Sequence, residues 1–146
     1  MKISELLSPA DVVIDVQASN KRLLLQELAA RAAASLGLPV DQVASYLLKR
    51  EALGSTGIGK GIAIPHARLP ALQQPSGVFA KLKQPIDFDA IDGQAVDIVF
   101  ALLLPAAVEG EALGALALVA RTLRPPETLA RLRAAKTAAD LYALIA

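Results

Sequence analysis

The chain has 146 residues, with 15 basic and 14 acidic side chains, and it contains no cysteine. This length favours one domain, spanning residues 1–146, with its own core. The balanced charge and an aromatic content of 3% argue against a nucleic-acid partner, and the lack of cysteine excludes disulfides and thiolate metal sites. The N-terminal residues include acidic side chains and no long apolar run, so no signal peptide is predicted and we expect a cytoplasmic protein.

Two helices are predicted first. Ser19 or Asn20 can cap a helix that runs to about Ser35, in which apolar residues recur at helical spacing. The second helix extends from near Asp41 to Arg50 and ends at the glycine of position 54.

Three strands are predicted next, at residues 61–64, 77–82 and 96–104. The last, VDIVFALLL, is almost continuously apolar, which is typical of a strand buried on both faces. It is shorter than the roughly twenty residues that span a bilayer, so no membrane insertion is expected.

Three further helices are predicted at residues 109–123, 127–135 and 137–145, with Pro126 suited to the first position of the middle one. Helices therefore come first, strands fill the middle and helices close the chain. This order predicts an α/β sandwich, with a mixed β-sheet flanked by helices.

Residues 54–60 match most of the nucleotide-binding pattern G-x-x-x-x-G-K. The next residue is Gly61, where that pattern needs a Ser or Thr to bind magnesium. A helix precedes the loop and a strand follows it, which is the reverse of a phosphate-binding loop. A nucleotide hydrolase is therefore disfavoured. The glycines form either a tight connector or a nest of N–H groups that binds an anion.

His66 is the only histidine of the chain and follows Pro65, which restricts the backbone. Neutral imidazole can attack phosphorus and carry a phosphoryl group, and its ordinary pKa near 6.5 leaves it unprotonated at cell pH. Arg50 and Arg68 can supply guanidinium groups that fit phosphate. The alternative is a structural histidine in an anion- or protein-binding module. A metal site is not expected with one histidine and no cysteine.

Other polar residues of the region allow two interpretations. The hydroxyls of Ser55 and Thr56 either line a phosphate site or cap the loop, and Lys60 is either solvated or meets phosphate. Asp87, Asp89 and Asp92 have the composition of a metal cluster, but aspartate is also common in turns, which is the favoured interpretation. All three lie in the segment PIDFDAIDG, residues 85–93.

Several segments together resemble a known family. Residues 50–51, 53–59 and 61–66 read RE, LGSTGIG and GIAIPH, and residues 96–103 read VDIVFALL. With PIDFDAIDG, they resemble the IIA domain of the bacterial phosphoenolpyruvate-dependent phosphotransferase system (PTS), of the mannitol/fructose type. The chain is most similar to the nitrogen-regulatory branch, whose members are free-standing single domains.

The resemblance implies a mixed β-sheet flanked by helices, no cofactor, and a transient phosphohistidine. His66 matches the phosphorylated histidine and Arg50 the arginine beside the phosphoryl group. The phosphate-site loop then contains Ser55, Thr56, Gly57 and Gly59, with Arg68 as a further candidate. The implied donor is an HPr-type phosphocarrier (NPr), charged by Enzyme I. Implied targets are potassium transport proteins and sensor kinases, and either a monomer or a homodimer is compatible.

One departure from the family pattern bears on function. Many members carry a second histidine in the helix after the long strand, whereas residues 109–116 here read EGEALGAL. Ala112 and Gly114 lie around the expected position. This favours a regulatory protein over the alternative, a sugar-specific IIA subunit that passes phosphate to a IIB permease component.

Overall fold

The longest apolar run of the sequence becomes the central strand of the sheet. Residues 96–105 are buried along almost their whole length, because helices cover both faces. The computed structural model describes residues 1–107 and 109–146. Its strands are β1 (Val12–Val16), β2 (Gly57–Gly59), β3 (Ile62–Ala63), β4 (His66–Leu69), β5 (Ser76–Ile86) and β6 (Val96–Pro105). Its helices are α1 (Ile3–Leu6), α2 (Lys21–Leu36), α3 (Val40–Ala52), α4 (Glu109–Leu123), α5 (Pro126–Ala134) and α6 (Ala138–Ile145), with a 3-10 turn at Pro9–Asp11.

The sheet is mixed. Its strand order is β1-β5-β6-β3-β2, and β4 also pairs with β6. β5 and β6 are antiparallel, as are β2 and β3, whereas β1 is parallel to β5. β3 and β4 both run parallel to β6, one after the other. The predicted mixed sheet is thereby confirmed.

Successive residues of the central strands point to opposite faces and enter two separate apolar clusters. Val99 and Ala101 contribute to the cluster under α2 and α3. Phe100 and Leu102 contribute to the cluster under α1, α4, α5 and α6, where the rings of Phe79 and Phe100 lie 5.7 Å apart. The helices therefore flank both faces of the sheet, as the order of elements predicts. No helix in the two described ranges is long and apolar enough to cross a membrane.

The predicted helices are confirmed, and their ends agree within a few residues. The residues that cap α2 are recognisable in the sequence. Asn20, rather than Ser19, caps α2, and its side chain accepts a hydrogen bond from the Leu23 N–H at 2.9 Å. Gly37 ends the same helix in the left-handed conformation, with φ of 68°.

The prediction that helices come first is wrong, because β1 precedes α2 and lies beside β5. The strand predicted at residues 61–64 is also shorter, covering only Ile62–Ala63, and β2 and β4 flank it. β2 has the sequence GIG, and glycine is depleted in strands, so the sequence does not predict a strand there. The strand is recognised from its antiparallel pairing with β3.

Candidate functional site

His66 is the first residue of β4 and lies opposite Leu102 of β6. It follows Pro65, which has no N–H to donate, so the pairing of β3 with β6 is interrupted there. The Pro65 carbonyl oxygen accepts the Leu102 N–H at 2.8 Å. The backbone is therefore fixed to the central strand immediately before and after the imidazole. This supplies the rigid support that the sequence predicts, with the histidine inside a strand rather than beyond its end.

The half-buried imidazole is held through one of its two nitrogens. Nδ1 of His66 lies 2.9 Å from the carbonyl oxygen of Ile64. A carbonyl oxygen can only accept a hydrogen bond, so Nδ1 carries the hydrogen of the neutral ring and donates it. Nε2 consequently keeps its lone pair. The site thus presents one nucleophilic nitrogen of defined identity.

The surroundings of His66 favour the neutral ring. Burial lowers the pKa of His66 below its ordinary value, the bond to Ile64 opposes this shift, the positive charge of Arg50 lowers the pKa further, and Glu51 raises it. The net direction is downward. At neutral pH, most molecules therefore have an unprotonated Nε2.

Arg50 lies in the last turn of α3, close enough for its charge to act on the imidazole. Its Nη1 donates to the carbonyl oxygen of Gly54 at 2.9 Å. The guanidinium is thereby directed along the loop that follows the helix. The two residues that the sequence singles out most strongly lie on α3 and β4, and these two elements pack against each other.

The influence of Arg50 on the imidazole can be measured directly. Arg50→Gln is expected to raise the pKa of His66, because it removes a positive charge that disfavours the protonated ring. An NMR titration of the ring follows this pKa without overlap, since the chain has one histidine. Arg31→Gln, in a surface pair with Glu27, should leave the pKa unchanged. A pKa that falls in Arg50→Gln contradicts the assigned geometry.

The hydroxyls of Ser55 and Thr56 hold the loop together. Ser55 Oγ donates to the Phe88 carbonyl oxygen at 2.6 Å and accepts the Gly57 N–H at 3.1 Å. Thr56 is buried, and both its N–H and its hydroxyl donate to the carboxylate of Glu51, at 2.9 and 2.6 Å. Of the two interpretations that the sequence allows for these hydroxyls, the observed contacts agree with capping of the loop.

Gly57 and Gly59 lie where the β2–β3 hairpin meets the segment at residues 86–93. A Cβ on Gly57 would lie 2.8 Å from Cβ and 2.9 Å from Cα of Ala90, so no side chain fits. Gly59 has φ of +101°, which L side chains rarely adopt. The Ile91 N–H donates to the Gly57 carbonyl oxygen at 3.3 Å. The glycines thus permit close backbone packing next to the site.

Substituting Gly57 is expected to destabilise the protein. Gly57→Ala forces the hairpin away from Ala90, and such overpacking typically lowers the free energy of unfolding by about 1–3 kcal/mol. Gly54→Ala is the matched control in the same loop, because its Cβ would meet nothing within 4 Å. Urea denaturation measures both. Equal stabilities of the two variants would show that the approach to Ala90 is not tight.

Arg68 lies two residues after His66 on β4, hence on the same face of the sheet. It is exposed, and its Nη2 donates to the carbonyl oxygen of Ala106 at 2.8 Å. Arg68 is thus a second cation on the face of the sheet that bears the imidazole.

The segment at residues 54–60 follows α3, contains the short strand β2 and leads into β3, so a helix precedes it and a strand follows it, as predicted. Lys60 is exposed in the β2–β3 turn, with φ of 58°, and its N–H donates to Asp92 at 2.9 Å. Asp87 accepts the Asp89 N–H at 3.0 Å, and Asp89 pairs with Lys21 at 3.3 Å. The aspartates serve turns and an ion pair, in line with the favoured interpretation.

Sequence reasoning assigned no function to Glu51 or Lys21. Glu51 follows Val43 and Leu47 at intervals of four, so a charged residue occupies the buried face of α3. Lys21 begins α2, where the helix dipole disfavours a cation unless it has an acidic partner. Lys21 has two such partners, the buried Glu51 at 3.2 Å and the exposed Asp89 at 3.3 Å, and its Nζ also lies 5.0 Å from the centroid of the Phe88 ring. Both residues are therefore unusual for their positions in their helices, and this is visible in the sequence.

The positions where many family members have a second histidine differ in character. Ala112 is buried in the apolar cluster under α4, whereas a Cβ on Gly114 would meet nothing within 4 Å. His66 is the only imidazole that the sequence provides.

The chain as a whole is similar to proteins of one known family. Residues 5–146 match the family described as phosphoenolpyruvate-dependent sugar phosphotransferase system, EIIA 2. The chain is 43% identical, over 146 residues, to a nitrogen regulatory protein of Bradyrhizobium diazoefficiens, covering 100% of this chain and 95% of the relative.

Solved structures of related proteins have the same fold as this chain. The crystal structure of nitrogen regulatory protein IIA-Ntr from Neisseria meningitidis superposes with a TM-score of 0.93 at 33% identity, covering 99% of both chains. The mannitol IIA protein of Escherichia coli shares the fold, with a TM-score of 0.77 at 18% identity over 94% of this chain and 97% of that one. PTS IIA domains take a phosphoryl group from a phosphocarrier and pass it on. The chain belongs to the EIIA type 2 family of the phosphoenolpyruvate-dependent phosphotransferase system.

Proposed function

We propose that this chain is a phosphoryl carrier that accepts phosphate on His66 from a phosphorylated HPr-type carrier (NPr) and acts as a nitrogen-regulatory IIA protein. The observation that carries this proposal is the free lone pair on Nε2 of a neutral, half-buried imidazole close to Arg50. The identity to a nitrogen regulatory protein along 95% of that relative's length supports the regulatory branch over a sugar-specific IIA subunit.

The transfer step exchanges one N–P bond for another. The Nε2 lone pair of His66 attacks the phosphorus of the donor's phosphohistidine, in line with the donor's N–P bond. A bond forms between Nε2 and phosphorus while the donor bond breaks, and its electron pair returns to the donor's ring nitrogen. Nδ1 keeps its hydrogen and its bond to Ile64 throughout. No proton therefore has to move.

Arg50 binds the equatorial oxygens of the phosphoryl group, because phosphoryl transfer depends on positioning and charge neutralisation. Its planar fork fits those oxygens, and Gly54 already orients it. Ser55, Thr56, Gly57 and Gly59 shape the neighbouring wall of the site, and Arg68 is a further cation on the same face.

The donor docks on an apolar rim next to the site. Leu53 follows α3 three residues after Arg50 and is 86% exposed, and Ile91, hydrogen-bonded to Gly57, is 85% exposed. Exposed apolar side chains of this size on segments that carry the site fit a protein partner.

We further propose one cytoplasmic IIA domain over residues 1–146, whose regulatory targets include potassium transport proteins or sensor kinases.

Intact mass spectrometry tests the proposal. The protein is incubated with phosphoenolpyruvate, Enzyme I and an HPr-type carrier, and an identical mixture without Enzyme I is the control. The expected result is a gain of one phosphoryl group, which is labile in acid and absent from the control. No gain with a carrier that phosphorylates another IIA protein would overturn the proposed function.

A further inference from the structure

A buried carboxylate lies behind the site. Glu51 is 7% exposed, and a charge removed from water to this degree is costly unless hydrogen bonds and an opposite charge compensate it. Both kinds of compensation are present. The carboxylate accepts both hydrogen bonds of Thr56, and Lys21 Nζ lies 3.2 Å from it. A single hydrogen bond would cap the loop. Glu51 makes two, one to the backbone N–H and one to the hydroxyl of Thr56, and so fixes both parts of that residue.

The hydrogen bonds continue from Thr56 to the imidazole. The carbonyl oxygen of Thr56 accepts the Ile64 N–H at 3.0 Å. The carbonyl oxygen of Ile64 in turn accepts the hydrogen of His66 Nδ1 at 2.9 Å. An unbroken series therefore runs from Lys21 through Glu51, Thr56 and Ile64 to the ring. The N–H and the C=O of one residue belong to different peptide groups, so this series acts by fixing the position of each backbone segment rather than by polarisation.

The Ile64 carbonyl is the group that selects the ring hydrogen. If that oxygen moves or rotates, Nδ1 loses its acceptor and the neutral ring redistributes between its two tautomers. In the tautomer with the hydrogen on Nε2, the nitrogen that faces the donor has no lone pair to offer. The position of Thr56 relative to Ile64 thus bears directly on the nucleophile.

We propose that Glu51 is a positioning residue that acts through Thr56 and Ile64 to keep His66 in the tautomer with a free Nε2. Glu51 touches neither the phosphoryl group nor the reacting nitrogen. The claim about transfer rests on the proposed phosphocarrier function, whereas the claim about the tautomer stands on the geometry of the free protein.

The direct test is Glu51→Gln, which keeps the size of the side chain and one acceptor oxygen but removes the charge and the second acceptor. At about pH 8, where imidazole is neutral, the ring nitrogens of ¹⁵N-labelled His66 report the tautomer. The wild type is expected to show Nδ1 protonated, and Glu51→Gln a mixture of both forms. Its rate of phosphoryl acceptance at saturating donor should fall with the fraction of rings that keep a free Nε2, by about two- to fivefold, while the donor KM stays unchanged.

Two further comparisons separate positioning from general loss of structure. Glu27→Gln removes a carboxylate from the exposed pair with Arg31 and should match the wild type in both measurements. Thr56→Ser keeps both donors to Glu51 and should retain the wild-type tautomer, whereas Thr56→Val loses the hydroxyl bond and should resemble Glu51→Gln.

The outcomes are distinct. A wild-type tautomer and rate in Glu51→Gln would overturn the positioning role, as would an equal loss in Thr56→Ser and Thr56→Val. If the wild type accepts no phosphoryl group from any donor, the phosphocarrier function fails. The tautomers of wild type and Glu51→Gln still decide the role of Glu51 in that case, because they are measured without a donor.

Discussion

His66→Ala is expected to abolish phosphoryl acceptance completely, because the chain contains no other imidazole. The residual mass gain should be zero even after long incubation with phosphoenolpyruvate, Enzyme I and an HPr-type carrier. The side chain is half-buried and makes one hydrogen bond, to Ile64, so its loss should cost only about 1 kcal/mol of stability. Intact mass spectrometry gives the first result and urea denaturation the second.

His66→Gln is the companion variant, since it keeps a polar side chain of similar length without a nucleophilic ring nitrogen. It should be as inactive as His66→Ala and at least as stable. Acid-labile phosphate on either variant would move the phosphorylation site to another residue and contradict the assignment.

The second large effect concerns Arg50. Arg50→Lys should slow phosphoryl transfer about ten- to a hundredfold, because an ammonium group offers a point charge where the guanidinium offers a planar fork. Arg50→Ala should slow it about a thousandfold, since fixed arginines at transferring phosphoryl groups contribute on this scale. Rapid-quench measurement of the phosphorylated fraction gives both rates.

Arg31→Lys is the matched control, because Arg31 makes an exposed pair with Glu27 on α2. It should transfer at the wild-type rate. If Arg50→Lys also transfers at that rate, the guanidinium does not bind the phosphoryl oxygens, and Arg68 becomes the stronger candidate for that role.

The fold was largely predictable where local signals are strong. The apolar run of β6 marks the central strand, and Asn20 with Gly37 marks the ends of α2. The missed strand β1 has five residues, and its parallel pairing with β5 joins positions more than sixty residues apart, for example Val12 and Phe79. Such pairing depends on tertiary contacts that no short window of sequence contains.

The sequence suggested which residues form the candidate site, but not which residues hold them in place. His66 and Arg50 are recognisable in the sequence as a lone imidazole and a guanidinium on either side of a glycine-rich loop, and the elements that carry them, β4 and α3, pack against each other. The hydrogen-bond partner of the Thr56 hydroxyl cannot be read from the sequence, because a hydroxyl can bind phosphate, backbone or carboxylate equally well. Glu51 occupies a position where helical periodicity predicts an apolar residue, and such an exception in a sequence often marks a functional or strained site.

The most direct test of the account is the site of phosphorylation within the ring. The protein, labelled with ¹⁵N at histidine, is phosphorylated through the HPr-type carrier, and the coupling between ³¹P and ¹⁵N is recorded. One phosphorus resonance coupled to Nε2 of His66 is expected, because Nδ1 donates its hydrogen to the carbonyl oxygen of Ile64. Coupling to Nδ1, or phosphate on a residue other than histidine, would contradict it.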